Sequence, residues 1–129
     1  MGNQKLAQWI LRVGVAGEFA GHGVFALRGE KNWVGWFANF GLGDQALAAD
    51  LLFCIGLLDL LIALTVLVRP IRLALLWATF WGFFTAVLRP FVGLSIWDFI
   101  ERSANWAGPL ALLFLLGWPR SLKDLLKSN

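Results

Sequence analysis

Four long apolar stretches, separated by short polar segments, account for most of this chain of 129 residues. The apolar positions run continuously instead of alternating, which favours helices over membrane-spanning strands. Each stretch has about 19 to 23 residues, enough at about 1.5 Å per residue to cross about 30 Å of hydrocarbon. The predicted spans are residues 6–27, 46–68, 71–89 and 96–118. The pattern therefore predicts a single-domain, all-α, integral-membrane four-helix bundle.

Several residues between the spans predict where helices begin and end. The Asp44 carboxylate can accept from free backbone N–H groups at the start of the second span. Ser95 and Asp98 have the spacing of a capping box for the fourth span. Pro70 suits the first turn of the third span. Pro90 is predicted to end that span, because proline disfavours helical backbone at the preceding residue.

The loop after the first span, residues 28–45, is long and rich in aromatic residues. Trp33, Trp36, Phe37 and Phe40 recur at helical spacing. Such a segment is typical of a short amphipathic helix at a membrane surface. We therefore predict a short interfacial helix between the first two spans, with its aromatic side toward the lipid.

Composition and charge support the membrane class and suggest an orientation. Hydrophobic residues make up 59% of the chain and the mean hydropathy is +0.70, more apolar surface than a soluble domain of this size can cover. The net charge of +3 is dispersed, so no nucleic-acid partner is expected. Seven lysines and arginines fall on the side of the two termini and four on the other side. The positive-inside rule then predicts that both termini are cytoplasmic.

Two ionisable residues interrupt the first apolar stretch. Glu18 and His22 lie four positions apart, on one side of a helix that also carries Gly14, Gly17 and Gly21. Glycines on a helix face permit close approach of a neighbouring helix. We therefore predict that this face points into the bundle. An ionisable group at bilayer depth indicates a functional site. Glu18 and His22 would then form a ligand or proton site. The alternative is a polar cluster with a purely structural role.

The depth of each polar residue, counted from the cytoplasmic end of its helix, predicts two polar layers. An inner layer would hold a structural ion pair between Arg12 and Asp59. An isolated charge in lipid costs at least about 2.5–3.5 kcal/mol, so pairing or a water-filled cavity is expected. The outer layer, our predicted ligand or proton site, gathers Glu18, His22, Asn105, Glu101 and Arg102.

Two tryptophans lie too deep in their spans to belong to the aromatic belts at the membrane surface. They are Trp81 in the third span and Trp106 in the fourth. A buried indole N–H requires a hydrogen-bond partner. We expect the two rings to wall an aromatic cavity for a flat or chain-like ligand.

Short glycine-and-charge patterns indicate a family. They are Arg12-Val-Gly-Val-Ala-Gly-Glu-Phe-Ala-Gly-His22-Gly23, Cys54-Ile-Gly-Leu-Leu-Asp59 and Val68-Arg69-Pro70-Ile71-Arg72-Leu73-Ala74. Over about residues 8–90 the chain resembles the DoxX-like family of small four-helix membrane proteins, with Asp59 where that family more often has glutamate. The resemblance implies a multi-pass protein of the bacterial inner (cytoplasmic) membrane. Some members are linked to quinone-dependent redox complexes, including thiosulfate:quinone oxidoreductase.

Three functions remain open at this point. The first is binding of a quinone or similar hydrophobic small molecule in a redox-linked membrane complex. Glu18 and His22 would then handle protons, while Trp81 and Trp106 flank the ring. The chain offers no cofactor ligand set of its own, so a partner subunit would supply the electrons. The second is a small proton-coupled transporter, a homo-oligomer in which Glu18 exchanges protons. The third is a non-catalytic membrane adaptor or assembly subunit.

Other chemistries fit the sequence less well. His22 is the chain's single histidine and the spacing of its acidic neighbours matches no zinc motif, so no metal site is predicted. Cys54 is the single cysteine, which excludes an internal disulfide and a C-x-x-C motif. Whether the protein is an enzyme is left open.

Overall fold

A computed structural model describes residues 2–129, and these residues form helices and connecting turns with no strand among them. Two short 3-10 helices, Phe37–Phe40 and Lys123–Leu126, accompany the α-helices. In chain order the α-helices are α1 (Asn3–Leu27), α2 (Lys31–Trp36), α3 (Gln45–Val68), α4 (Arg72–Phe91), α5 (Ile96–Ile100) and α6 (Ser103–Leu116). The predicted all-α class is thus confirmed. Helices α1, α3 and α4 are each long and apolar enough to cross a membrane.

The fourth predicted span is divided in two. A turn at Glu101 and Arg102 separates α5 from α6, and the Ser103 hydroxyl donates to the Ile100 carbonyl there at 2.7 Å. Helix α6 ends before Gly117, whose φ of 99° is unfavourable for other residues. With 14 residues, α6 is about 21 Å long, less than the hydrocarbon thickness. The prediction of one continuous helix over 96–118 is therefore wrong.

The two predicted acidic caps are present. The Asp44 carboxylate accepts from the backbone N–H groups of Ala46 at 3.0 Å and Leu47 at 3.3 Å, at the start of α3. Ser95 and Asp98 form the predicted capping box, which begins the short helix α5. Both caps satisfy N–H groups that the first helical turn leaves free.

The two proline predictions are wrong in detail. Pro90 lies inside α4, which continues to Phe91, because the fixed φ of proline, near −65°, is compatible with helical backbone. Pro70 lies in the connection before α4, since the helix begins only at Arg72. Ile71, with extended backbone, precedes the helix, so Pro70 lies in the turn between α3 and α4 and not in the first helical turn.

Helix packing is closest at two crossings that contain glycine. Helix α1 lies against α3 and α6, and α4 lies against α6. A Cβ atom on Gly56 would lie 2.8 Å from the backbone oxygen of Gly23, where α3 crosses α1. A Cβ atom on Gly82 would lie 2.6 Å from the backbone oxygen of Asn105, where α4 crosses α6. Both crossings exclude any larger residue at the glycine.

The face of α1 that enters the bundle differs from the predicted one. Gly14, Gly17 and Gly21 are exposed, and a Cβ atom on any of them would meet nothing within 4 Å. The prediction that they pack against a neighbour is wrong. The buried residues of α1 are instead Val15, Ala16, Phe19, Gly23 and Ala26. Burial of Val15 and Phe19 removes much apolar surface from solvent, whereas glycine has no side chain to bury.

The apolar core occupies one half of the bundle. It lies toward the turn between α3 and α4, residues 69–71, which we call the turn end. Val66, Leu75, Leu112 and Leu113 are fully buried there. The opposite half, which we call the cavity end, holds the polar residues described below.

Candidate functional site

A cavity of about 100 Å³ lies at the cavity end, between α1, α3 and α4. Helix α2 and the 3-10 helix after it cover one side of the cavity with aromatic rings. Most of the wall is aromatic or aliphatic, as in most small-molecule sites. The lining residues are His22, Ala26, Trp33, Trp36, Phe37, Phe40, Leu52, Ile55, Asp59, Trp81, Thr85, Leu88 and Arg89.

The aromatic loop forms the predicted short helix, but its aromatic side contacts protein. The Trp33 ring meets the His22 ring edge-on at 5.7 Å, and the Phe40 ring stacks on Phe91 at 5.3 Å. Trp36 lies beneath the Arg89 guanidinium, 5.4 Å from the ring centroid, a cation–π contact. The prediction that this side faces lipid is wrong. Trp33, Trp36 and Phe37 are half-buried in these contacts, while Phe40 remains 53% exposed.

Asp59 projects from α3 into the cavity wall without a charged partner. Its side chain is only 3% exposed, and one carboxylate oxygen, Oδ1, has no hydrogen-bond partner among residues 2–129. An unsatisfied buried acceptor costs roughly 1–3 kcal/mol. Such a group in a cavity wall is a natural point of contact for a ligand.

The predicted ion pair between Arg12 and Asp59 is not formed. The Arg12 guanidinium instead donates to the backbone carbonyls of Val66, Leu67 and Val68 at the end of α3. The last carbonyls of a helix lack intrahelical partners and attract cationic side chains. They lie seven to nine residues beyond Asp59, which places Arg12 about 10 Å or more further along α3.

Arg89 faces the cavity from α4, across from Asp59. The residue is 4% exposed, lines the cavity and donates from Nη1 to the Thr85 carbonyl. Within residues 2–129 the one salt bridge joins Lys127 to Asp124, so the Arg89 guanidinium pairs with no carboxylate. The cavity wall thus contains a carboxyl group and a guanidinium that form no ion pair with each other.

Glu18 and His22 occupy different positions relative to the cavity. The His22 ring is half-buried and lines the cavity. Glu18 is half-buried on the border between the buried and exposed sides of α1, close enough to Asp59 and Arg102 to interact electrostatically. His22 and Asp59 therefore share the cavity, and Glu18 lies beside it.

The other predicted residues of the fourth span stand apart from the cavity. The Arg102 side chain is half-buried, and its Nε has no hydrogen-bond partner among the described residues. Glu101 is exposed, and Asn105 contributes its backbone to the crossing with Gly82. None of the three lines the cavity.

Trp81 and Trp106 do not flank one space. Trp81 lines the cavity, whereas Trp106 packs edge-on against Phe83 at 5.7 Å. Positions 81 and 83 point to nearly opposite sides of α4, since two residues rotate by about 200° along a helix. The Trp106 indole N–H is buried and unpaired among the described residues.

Sequence reasoning missed two parts of the site. Arg89 repeats at four-residue spacing after Trp81 and Thr85, so its side of α4 was visible in the sequence. Trp33 and Trp36 showed helical spacing, but nothing local indicated that they fold back onto the bundle. Among residues 2–129, no group of three or more His, Cys, Asp or Glu side chains is placed so that it could hold a metal ion.

Comparisons with protein-family models, curated proteins and solved structures find no match for this chain. What the site offers is an aromatic cavity that contains a carboxyl group, an imidazole and a guanidinium.

Proposed function

We propose that this protein is a multi-pass, DoxX-like protein of the bacterial inner membrane that binds a quinone or similar hydrophobic small molecule inside its bundle. It would do so as part of a redox-linked complex whose partner subunit supplies electrons. The proposal combines the resemblance at residues 12–23 and 54–74 with the aromatic cavity. The ligand would reach the site from the bilayer.

The proposed topology has four crossings with both termini in the cytoplasm. Helices α1, α3 and α4 each meet the length and hydropathy of a span. Helices α5 and α6 would together form the fourth crossing, bent at Arg102. Non-ideal backbone at membrane depth is tolerated where it is buried in protein.

The unpaired oxygen of Asp59 in the cavity wall carries the proposal. A polar cluster with a purely structural role would be expected to satisfy its own buried groups. Here Asp59 and Arg89 are both buried, both line the cavity and form no ion pair with each other. A ligand with polar atoms on a flat apolar ring would satisfy both.

A binding titration tests this proposal directly. The protein in lipid nanodiscs is titrated with decylubiquinone, and quenching of tryptophan fluorescence is followed, with empty nanodiscs to correct for partition into lipid. We expect saturable quenching, because three tryptophans line the cavity. Ile55→Phe fills the cavity and should weaken binding at least tenfold. Leu58→Phe, on the exposed side of the same helix, is the matched control. Equal quenching in both variants, or none in the native protein, contradicts the proposal.

Proton-coupled transport is the second candidate, favoured by the proximity of the Glu18 and Asp59 carboxyl groups. Two carboxyls beside one cavity could exchange a proton for a substrate. Proton flux into liposomes that depends on a substrate and is lost in Glu18→Gln would support transport. Flux that survives in that variant would exclude this use of Glu18.

A further inference from the structure

The polar groups of the cavity differ in what they can do for a ligand. A carboxylate oxygen is an acceptor, and Asp59 Oδ1 is left without a donor. The Arg89 guanidinium has five N–H donors and no acceptor, and its one recorded bond goes from Nη1 to the Thr85 carbonyl. His22 can donate or accept, so it does not decide the polarity of the site.

The volume of the cavity favours a small ligand. The cavity measures about 100 Å³, whereas an engineered apolar cavity of about 150 Å³ holds benzene. A single six-membered ring already needs some widening of the cavity, and two fused rings need more. Trp36 on α2 and Trp81 on α4 both line the cavity.

We infer that the cavity binds a monocyclic phenol or quinol, with a ring hydroxyl donating to Asp59 and an oxygen at the other side of the ring accepting from Arg89. This inference rests on the proposed function and narrows it, since the fully oxidised ring has two acceptors and cannot donate to Asp59. With Asp59 ionised, the site would therefore hold the reduced ring more tightly than the oxidised ring.

Equilibrium binding of small ring probes, measured without any reductant, separates the donor requirement from redox chemistry. The protein in nanodiscs is titrated by ligand-observed NMR with 4-methoxyphenol, 1,4-dimethoxybenzene and 2,3-dimethoxy-5-methyl-1,4-benzoquinone, against empty nanodiscs. The first probe has one hydroxyl donor and the other two have none. We expect the Kd of 4-methoxyphenol to be at least about tenfold lower than that of either other probe, which is the effect of one hydrogen bond to a charged group. A two-ring probe, 4-methoxy-1-naphthol, should bind at least about tenfold more weakly than 4-methoxyphenol.

The variant Asp59→Asn tests whether Asp59 is the acceptor. Its amide has nearly the same shape and can donate as well as accept, so the preference for 4-methoxyphenol should fall to less than about twofold. Asp50→Asn, an exposed position on the same helix, should keep the full preference. Retained binding of 4-methoxyphenol by the variant shows that its fold is intact. If the variant does not fold, the ranking of the three probes by the native protein decides alone.

The outcomes separate this inference from the proposed function. Equal or tighter binding of the benzoquinone, or a preference for 4-methoxyphenol that survives in Asp59→Asn, overturns the inference while the proposed function stands. Absence of binding by every probe, together with no quenching by decylubiquinone, overturns both.

Discussion

Buried charged side chains are fully hydrogen-bonded at the turn end of the bundle but only partly hydrogen-bonded at the cavity end. At the turn end, the Arg72 guanidinium is buried and donates to the backbone carbonyls of Leu116, Gly117, Lys127 and Asn129. At the cavity end, buried or half-buried charged groups leave donors and acceptors unused. Within residues 2–129, Asp59 Oδ1 and Arg102 Nε have no hydrogen-bond partner. The buried indole nitrogens of Trp106 and of Trp77, which packs on the apolar core, also have none.

The supply of free backbone carbonyls explains this difference. Helices α3 and α6 both end at the turn end, and the last carbonyls of a helix lack intrahelical donors. Arg12 and Arg72 satisfy those carbonyls and tie three segments of chain together. The end of α4, by contrast, lies near the cavity. There Arg89 donates to the Thr85 carbonyl of its own helix and not to the end of a neighbouring helix. Arginine side chains therefore link helix ends at the turn end, whereas Arg89 keeps N–H donors free for a ligand at the cavity end.

The largest expected effect comes from removing the arginine of the turn end. Arg72→Leu removes four side-chain hydrogen bonds and leaves three backbone carbonyls without a donor, since the Lys127 carbonyl still accepts from the backbone N–H of residue 72. Each lost hydrogen bond to a charged group costs about 1.5–3 kcal/mol before relaxation. We expect the free energy of unfolding to fall by roughly 3–5 kcal/mol, as when a buried charge partner is removed. Reversible unfolding in mixed micelles measures it. Leu73→Ala, at an exposed position in the same turn, is the control. A loss below about 1 kcal/mol would refute the structural role of Arg72.

A smaller loss is expected from enlarging a glycine at a helix crossing. In Gly82→Ala the new Cβ would lie 2.6 Å from the Asn105 backbone oxygen, so α4 and α6 must separate. We expect destabilisation of roughly 1–3 kcal/mol. Gly14→Ala adds the same atom in open space and should be neutral or slightly stabilising, since alanine favours helix by about 1 kcal/mol. Equal effects of the two variants in the same unfolding assay would contradict the assigned packing faces.

At the cavity end, removal of an ionisable group should not lower the free energy of unfolding. Asp59→Asn replaces a buried carboxyl group that has no partner, and we expect the free energy of unfolding to stay constant or rise by about 1 kcal/mol. Thermal unfolding of the ligand-free protein measures this change. If Asp59→Asn lowered the free energy of unfolding as much as Arg72→Leu does, the proposed difference between the two ends would be contradicted, because Asp59 would then have a structural partner.

The smallest expected effect is a pH dependence in the tail of the turn end. The Arg120 backbone N–H and the Lys127 ammonium donate to the Asp124 carboxylate, and these bonds lower the pKa of that carboxyl below its ordinary value. A depressed pKa means that the carboxylate stabilises the folded tail above its unfolded pKa of about 3.9, and that this contribution disappears as the pH falls through the lower folded pKa. NMR titration of the Asp124 side chain should show the low midpoint. Lys127→Gln should move the midpoint upward; an unchanged midpoint would assign the shift to the Arg120 bond alone.

Local patterns in the sequence correctly indicated class and several boundaries. The apolar runs predicted helices, and α1, α3 and α4 begin and end within three residues of the predicted spans. Capping by Asp44 and Ser95 follows from chemistry between residues two to three positions apart, which the sequence displays directly. The acidic and imidazole groups at depth also pointed to the region where the cavity lies.

The tertiary structure alone decided which groups meet. Helix periodicity groups residues by face but does not say which face turns inward, so the glycines of α1 were placed wrongly while Gly56 and Gly82 make the close crossings. The partners of Arg12 and the fold-back of Trp36 onto Arg89 involve residues about 50 positions apart. Such contacts depend on how whole helices pack, because burial of large apolar side chains outweighs any single polar pairing.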